Sequence, residues 1–169
     1  MRHFFDIETT GLNPFDDQIL TIQWKSDEGI RVWKVWESDE KRLLEKFLDF
    51  LGMVSSDHSI FGYNCLKFDV PFIIERLRHN GLLTPEIYRT IYHKKWFDLY
   101  QFQGANYVSM DRWLDSYGIS RSCPVRGRDI PVLFRQGKFK EIENHAVDDL
   151  IVCEKLVDKL RKGNEDVFG

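Results

Sequence analysis

The chain has 169 residues, of which 43% are apolar and 30% are charged, as is usual for a folded globular domain. This length predicts a single domain over residues 1–169, and no apolar run reaches the length of a membrane span or resembles a signal peptide. The net charge of −3 excludes a strongly basic binder of polyanions, so any polyanionic partner would depend on metal ions and a local basic patch.

The number and spacing of the cysteines bear on disulfide bonds and on zinc binding. Cys65, Cys123 and Cys153 are odd in number and form no CxxC pair. This pattern argues against a disulfide framework and against a zinc site, and it indicates reduced thiols in a cytoplasmic protein.

The first part of the chain predicts three strands and a helix. Residues 2–7 have the composition of a buried strand. Residues 18–24 and 29–36 alternate apolar and polar side chains around a turn, which predicts a hairpin. A helical apolar pattern follows, and Ser38 is its expected N-cap.

The rest of the chain alternates strand and helix patterns. A short buried strand is expected at 59–63, and Asp69 begins a second helix that stops at Asn80–Gly81. Three further elements follow: a strand at 94–100, a short helix at 109–118 and a last helix from about Lys140 to Leu160. This order predicts an α/β fold with a mixed sheet.

Two carboxylates end the first strand, in the stretch "FFDIETTGL". Asp6 and Glu8 lie two residues apart, so a strand would direct both side chains to one face. Side by side, the two carboxylates repel each other and lose hydration. A solvated pair is the more ordinary explanation for such a spacing, whereas a divalent cation would compensate a buried one.

Two other segments supply carboxylates near buried structure. Asp69 stands at a helix start, where an N-cap is the simple explanation. On the last helix Asp149 lies on or beside the apolar stripe, while Asp148 is expected to point further away. Clustered carboxylates suit Mg²⁺ or Mn²⁺, and two such ions could activate a water molecule for phosphodiester cleavage.

The stretches "FFDIETTGL", "GYNCLKFDVPFI" and "NHAVDDLIVCEKL", in this order, resemble the three motifs of the DnaQ-like, or DEDD, 3′–5′ exonuclease superfamily. They are most similar to the exonuclease domains of family B DNA polymerases and to small stand-alone archaeal relatives. The resemblance covers nearly the whole chain. It implies an RNase H-like fold, with a five-stranded mixed sheet flanked by helices.

The resemblance also implies roles for individual residues. Four carboxylates would hold two divalent cations, Mg²⁺ or Mn²⁺: Asp6, Glu8, Asp69 and Asp149. The segment that would hold the 3′-terminal nucleotide contains Thr9, Thr10, Gly11 and Leu12, with Leu12 as an apolar wedge against the base. Asn64 and Phe68 match positions that support the penultimate nucleotide, although plain packing also explains Leu12 and Phe68.

His145 departs from the motif of the resembled superfamily. There the last Asp is preceded either by a Tyr with three residues between or by a His with four. His145 has three residues between it and Asp149, and the His spacing falls on Asn144. His145 is therefore expected to act as the general base from the Tyr position, and the alternative is a partly exposed helical histidine.

A loop rich in arginine offers the best local basic patch. Arg121, Arg126 and Arg128 crowd the stretch "RSCPVRGRDI" and could contact phosphates. A solvated loop is the equal alternative.

The combined hypothesis is a metal-dependent 3′–5′ exonuclease that releases nucleoside 5′-monophosphates from single-stranded DNA. An exoribonuclease or oligoribonuclease is the alternative within enzymes, because no residue indicates how a 2′-hydroxyl would be recognised. An inactive nucleic-acid-binding module is the alternative of another class, and retention of all four carboxylates argues against it. No membrane partner is expected, and a homo-oligomer remains open.

Overall fold

The computed structural model describes residues 1–103 and 108–163. Five strands are present in them: β1 (Arg2–Thr9), β2 (Ile19–Ser26), β3 (Gly29–Lys34), β4 (Ser59–Gly62) and β5 (Lys95–Asp98). The α-helices are α1 (Glu40–Met53), α2 (Asp69–His79), α3 (Pro85–Tyr92), α4 (Met110–Ser116), α5 (Ile130–Arg135) and α6 (Phe139–Gly163). None of these described helices combines the length and the apolar composition that a membrane span requires.

The strands form one mixed sheet in the order β3-β2-β1-β4-β5. β1 lies at its centre, antiparallel to β2 and parallel to β4. The register between β1 and β2 places Asp6 opposite Gln23 and Glu8 opposite Thr21. The predicted α/β class and the five-stranded mixed sheet of an RNase H-like fold are thereby confirmed.

Alternation along β1 separates two apolar clusters. Phe5 and Ile7 pack into a cluster that includes residues of α1 and α2. Phe4 points to the other face, where it packs with residues of α6 such as Leu156. Asp6 and Glu8 have the same parity as Phe4, so β1 directs both carboxylates to the face that α6 covers.

Several element boundaries differ from the prediction. The N-cap of α1 is Asp39, whose carboxylate accepts the N–H of Arg42 at 2.7 Å, and the expectation of Ser38 was wrong. The reason is a short 3₁₀ turn over Val35–Glu37, which takes the N–H of Ser38 and delays the helix by one residue. Neither α3 nor α5 was predicted.

A buried ion pair joins α1 and α2 to the loop after β1. The Arg76 guanidinium donates to both carboxylate oxygens of Glu40, at 2.9 and 2.7 Å. Arg76 also donates to the carbonyl of Pro14, and Glu40 accepts the N–H of Ile19 at 2.8 Å. This network fixes the middle and the end of the loop that follows β1.

We expect Arg76→Met to lower the free energy of unfolding by roughly 3–5 kcal/mol, because it leaves the Glu40 charge buried without its counter-ion. Urea unfolding followed by circular dichroism measures the change. The double variant Glu40→Gln/Arg76→Met should recover much of the loss, since it buries no charge. Arg78→Met is the matched control, because the Arg78–Glu75 pair lies on the surface. Equal losses in the two single variants would contradict this interpretation.

Candidate active site

Three distant segments meet at one cavity of about 270 Å³. Asp6 and Glu8 come from β1, Asp69 from the first turn of α2, and His145 and Asp149 from α6. The other lining residues are Ile7, Tyr63, Asn64, Phe68, Asp111, Arg121, Arg126 and Gly127. The structure thus brings together all five residues that the sequence proposed for the chemistry.

A buried glutamine on β2 orients the carboxylates of β1. Gln23 donates through Nε2 to Asp6 Oδ2 at 2.6 Å and more weakly to Glu8 Oε1 at 3.4 Å. The hydroxyl of Thr21 donates to Gln23 Oε1 at 2.8 Å, which fixes the amide orientation. Sequence reasoning missed Gln23, because only the strand register reveals that it faces Asp6.

Asp69 is held by the backbone of β1. Its Oδ1 accepts the N–H of Ile7 at 3.1 Å, and the side chain is buried. The N-cap position of α2 belongs to Phe68, so the simple explanation of Asp69 as the cap of its own helix was wrong. The bond to Ile7 instead ties the start of α2 to the carboxylates of β1.

Three carboxylates of this site, those of Asp6, Glu8 and Asp69, resist ionisation. Burial, and then the charges of Asp69 and Asp149, raise the pKa of Asp6 well above its ordinary value. Burial and the charge of Asp6 do the same to the pKa of Glu8. Burial raises the pKa of Asp69 to about 7. A cluster of buried oxygens that lacks enough positive charge fits divalent cations, which would stabilise the ionised forms.

His145 is buried beside these carboxylates. Its Nε2 lies 3.7 Å from Glu8 Oε1 and 3.6 Å from Asp149 Oδ2. Its Nδ1 has no hydrogen-bond partner among the residues that the structure describes. Only about 5% of the side chain is exposed, so the alternative of a partly exposed helical histidine was wrong.

The arginines of the loop after α4 divide into different environments. Arg121 is bonded to Asp149 Oδ1 and to Asp111, and these acids raise its pKa despite the lowering effect of burial. Arg126 donates to Asp111 at 2.6 Å from a half-exposed position. Arg128 is exposed and does not line the cavity. The arginines of the predicted patch therefore differ: Arg121 is a largely buried partner of Asp149, whereas Arg128 is a solvated residue.

Asp148 lies in the interior, and the expectation that it points away from buried structure was wrong. Its Oδ1 accepts from both the N–H and the hydroxyl of Ser122. Burial alone would raise the pKa of Asp148, but the bonds from Ser122 hold it below the ordinary value. The loop that carries Ser122 covers this side of α6, which the helical pattern of α6 alone could not indicate.

The segment from Thr9 to Leu12 lies beside the cavity and contributes none of its lining. The carboxylate of Asp17 organises this turn by accepting the hydroxyl of Thr10 and the N–H of Asn13. A Cβ at Gly11 would lie 2.3 Å from Asp17 Oδ2, so no larger residue fits there without rearrangement. Leu12 is 83% exposed, which excludes core packing for it.

Asn64 and Phe68 line the cavity. Asn64 adopts a left-handed conformation with φ of 58°, and its N–H donates to Asp98 Oδ1 at 2.7 Å. Phe68 is half-buried against Phe72, with ring centroids 5.4 Å apart. Asp98 was missed by sequence reasoning, although it fixes the loop that carries Asn64.

A family model and a known protein sequence both match most of this chain. A family model described as the RNase_H superfamily matches residues 3–161. A DNA polymerase of Red sea bream iridovirus is 24% identical over 151 residues, covering 72% of this chain and 16% of that protein.

Solved structures give a similar result. The family B DNA polymerase of the hyperthermophilic archaeon Pyrobaculum calidifontis has a TM-score of 0.75 and 19% identity, covering 97% of this chain and 24% of the polymerase. A product-bound exonuclease I has a TM-score of 0.62 and 14% identity, covering 95% of this chain and 43% of that one. The chain therefore spans less than half the length of each of these proteins, and the structural matches establish its fold.

We expect Asp69→Asn to stabilise the metal-free protein in a pH-dependent way. The pKa of Asp69 is about 7 in the folded state and near 4 in an unfolded chain. The folded state holds this proton more tightly than the unfolded chain does. The raised pKa therefore stabilises the folded state fully below pH 4, and this stabilisation is lost as the pH rises to 7. In EDTA, the difference in the free energy of unfolding between Asp69→Asn and wild type should therefore change by about 3.5 kcal/mol in favour of Asp69→Asn as the pH rises from 4 to 7.5.

Urea unfolding at several pH values measures this difference, with Asp57→Asn on an exposed loop as the control. A difference between wild type and Asp69→Asn that does not change with pH would contradict the raised pKa.

Proposed function

Because the chain belongs to the RNase H superfamily, we propose that it is a metal-dependent 3′–5′ exonuclease acting on single-stranded DNA and releasing nucleoside 5′-monophosphates. The observation that carries the proposal is the convergence of Asp6, Glu8, Asp69 and Asp149 at one cavity. The raised pKa values of Asp6, Glu8 and Asp69 are suited to binding cations rather than to structural stability.

The four carboxylates would hold two divalent cations, which supply water activation and stabilise the leaving 3′-oxygen. Asp6 would be the shared ligand, and Gln23 keeps one of its oxygens fixed. Arg121 donates a hydrogen bond to Oδ1 of Asp149. The other oxygen, Oδ2, lies near Nε2 of His145. Gln23 lies on β2 and Asp149 on α6, so these bonds orient the candidate ligands before substrate arrives.

The proposed direction of cleavage rests on the resemblance of the three motifs to those of 3′–5′ exonucleases. The turn from Thr9 to Leu12 presents an exposed apolar side chain next to the end of β1, and Leu12 would pack against the terminal base. Asn64 and Phe68, which line the cavity, would support the penultimate nucleotide.

DNA is favoured as substrate because the similar proteins include DNA polymerases. The chain matches only a minor part of those polymerases, so the proposal concerns nuclease chemistry alone. Retention of all four carboxylates disfavours an inactive binding module.

We expect the protein to shorten a 5′-labelled single-stranded DNA from its 3′ end in Mg²⁺ or Mn²⁺, and to do nothing in EDTA. Asp6→Ala should abolish turnover, because a shared metal ligand is lost, while Asp57→Ala on a distant exposed loop keeps wild-type activity. Denaturing gels resolve the ladder, and matched single-stranded RNA and duplex DNA test the substrate class.

Cleavage of circular single strands at the rate of linear ones would indicate an endonuclease and overturn the proposal. Faster degradation of RNA than of DNA would instead assign the ribonuclease alternative. Binding without turnover in either cation would favour the inactive module.

The arginine loop gives a separate prediction about binding. Arg126→Gln/Arg128→Gln should weaken binding of all single-stranded sequences alike and reduce the slope of log affinity against log salt by about 0.7 per lost phosphate contact. Fluorescence anisotropy in the Asp6→Ala background measures this slope without degradation. Arg89→Gln, on the exposed face of α3, is the matched control. An unchanged slope would mean that the loop is ordinary solvated surface.

A further inference from the structure

His145 is placed for contact with a cation rather than with a hydrogen-bond partner. Its Nε2, one oxygen of Glu8 and one of Asp149 all lie within 4.8 Å of one another. The two distances from Nε2, 3.7 and 3.6 Å, are too long for hydrogen bonds. Two ligands of one ion lie about 3 Å apart in an octahedral site and about 3.4 Å apart in a tetrahedral one, for bonds of about 2.1 Å. A small inward movement would therefore complete a site.

The surroundings of these atoms favour the same arrangement. His145 lines the cavity, and Gly127 lies near its Nε2, where an added Cβ would be 4.0 Å away. The two oxygens of Asp149 are already divided, since Oδ1 is bonded to Arg121 and Oδ2 faces His145. One oxygen and one nitrogen from neighbouring turns of α6 thus lie close to each other and to an oxygen of Glu8.

The other ring nitrogen does not by itself distinguish a ligand from a general base. Nδ1 of His145 is buried and has no partner among the described residues. With Nε2 bound to a cation the ring is neutral and its proton is on Nδ1, whereas a general base gains a second proton and a positive charge. Both roles leave the Nδ1–H without an acceptor, so the position of Nε2 beside Glu8 and Asp149 is what favours a ligand.

We propose that Nε2 of His145, with Glu8 and Asp149, binds one of the cations, and that this position prefers a first-row transition-metal ion such as Mn²⁺ over Mg²⁺. This inference rests on the proposed function and refines which ion the same site selects. Imidazole nitrogen is a good ligand for transition metals, whereas Mg²⁺ strongly prefers oxygen. An all-carboxylate site would lack this preference.

Pulsed electron paramagnetic resonance of Mn²⁺ tests the nitrogen ligand directly. Protein is loaded with less than one Mn²⁺ per chain, and the electron spin echo is examined for modulation by directly bound ¹⁴N. We expect this modulation in wild type, and its change to the ¹⁵N pattern when the histidines are labelled with ¹⁵N. The labelled wild type needs no substitution, so the result does not depend on whether a variant folds.

His145→Gln then assigns the nitrogen, with His79→Asn on the exposed end of α2 as the matched control. The glutamine should remove the modulation and lower the affinity for Mn²⁺ relative to Mg²⁺ by tenfold or more, whereas His79→Asn should change neither. Titration of Mn²⁺ in competition with Mg²⁺ measures the ratio. Bound Mn²⁺ without nitrogen modulation in wild type, or modulation that survives in His145→Gln, overturns the inference.

Different results would contradict the His145 ligand and the proposed exonuclease. Nitrogen modulation in a protein that does not degrade DNA would support the His145 ligand and reject the exonuclease. Degradation of DNA without nitrogen modulation would reject the ligand and keep the exonuclease. In that second case the general-base role of His145 predicts that His145→Gln loses the acidic limb of the pH–rate profile.

Discussion

Repulsion among buried carboxylates at the end of β1 is the constraint on which the rest of this structure depends. Asp6 and Glu8 would not remain side by side in an apolar interior without compensation, and the fold supplies it from three directions. Gln23 donates from β2, Arg121 reaches Asp149 from the loop after α4, and the backbone of Ile7 bonds to Asp69. The remaining deficit of positive charge is what suits the cavity to cations.

The same strand serves the core and the site because its two faces alternate. Phe5 and Ile7 anchor β1 against the α1 and α2 side, while Phe4 anchors it against α6. Anchoring on both faces leaves Asp6 and Glu8 little freedom. The position of the chemistry is therefore a consequence of how the sheet is packed, and a change in the packing of β1 would move two candidate ligands together.

Much of this arrangement could be read from local patterns. Alternation and short apolar runs located the five strands, and the resemblance of three segments to exonuclease motifs implied that Asp6, Glu8, Asp69 and Asp149 would converge. Contacts set by register or by loops could not be read in this way. Gln23 faces Asp6 only because β1 and β2 pair in one register, and Asp148 is buried only because the loop with Ser122 folds over it. The burial of His145 likewise depends on packing between distant segments.

The excess of negative charge at the cavity has a consequence for the order of events. In the proposed exonuclease, four ionised carboxylates would outnumber the two guanidinium groups that line the cavity, so cations would have to bind before a nucleic acid could. Thermodynamic linkage would then make the effect mutual: by whatever factor the cations tighten binding of the strand, the strand would tighten binding of the cations. Each partner would help to retain the other, and release of the cleaved nucleotide would weaken binding of the cations.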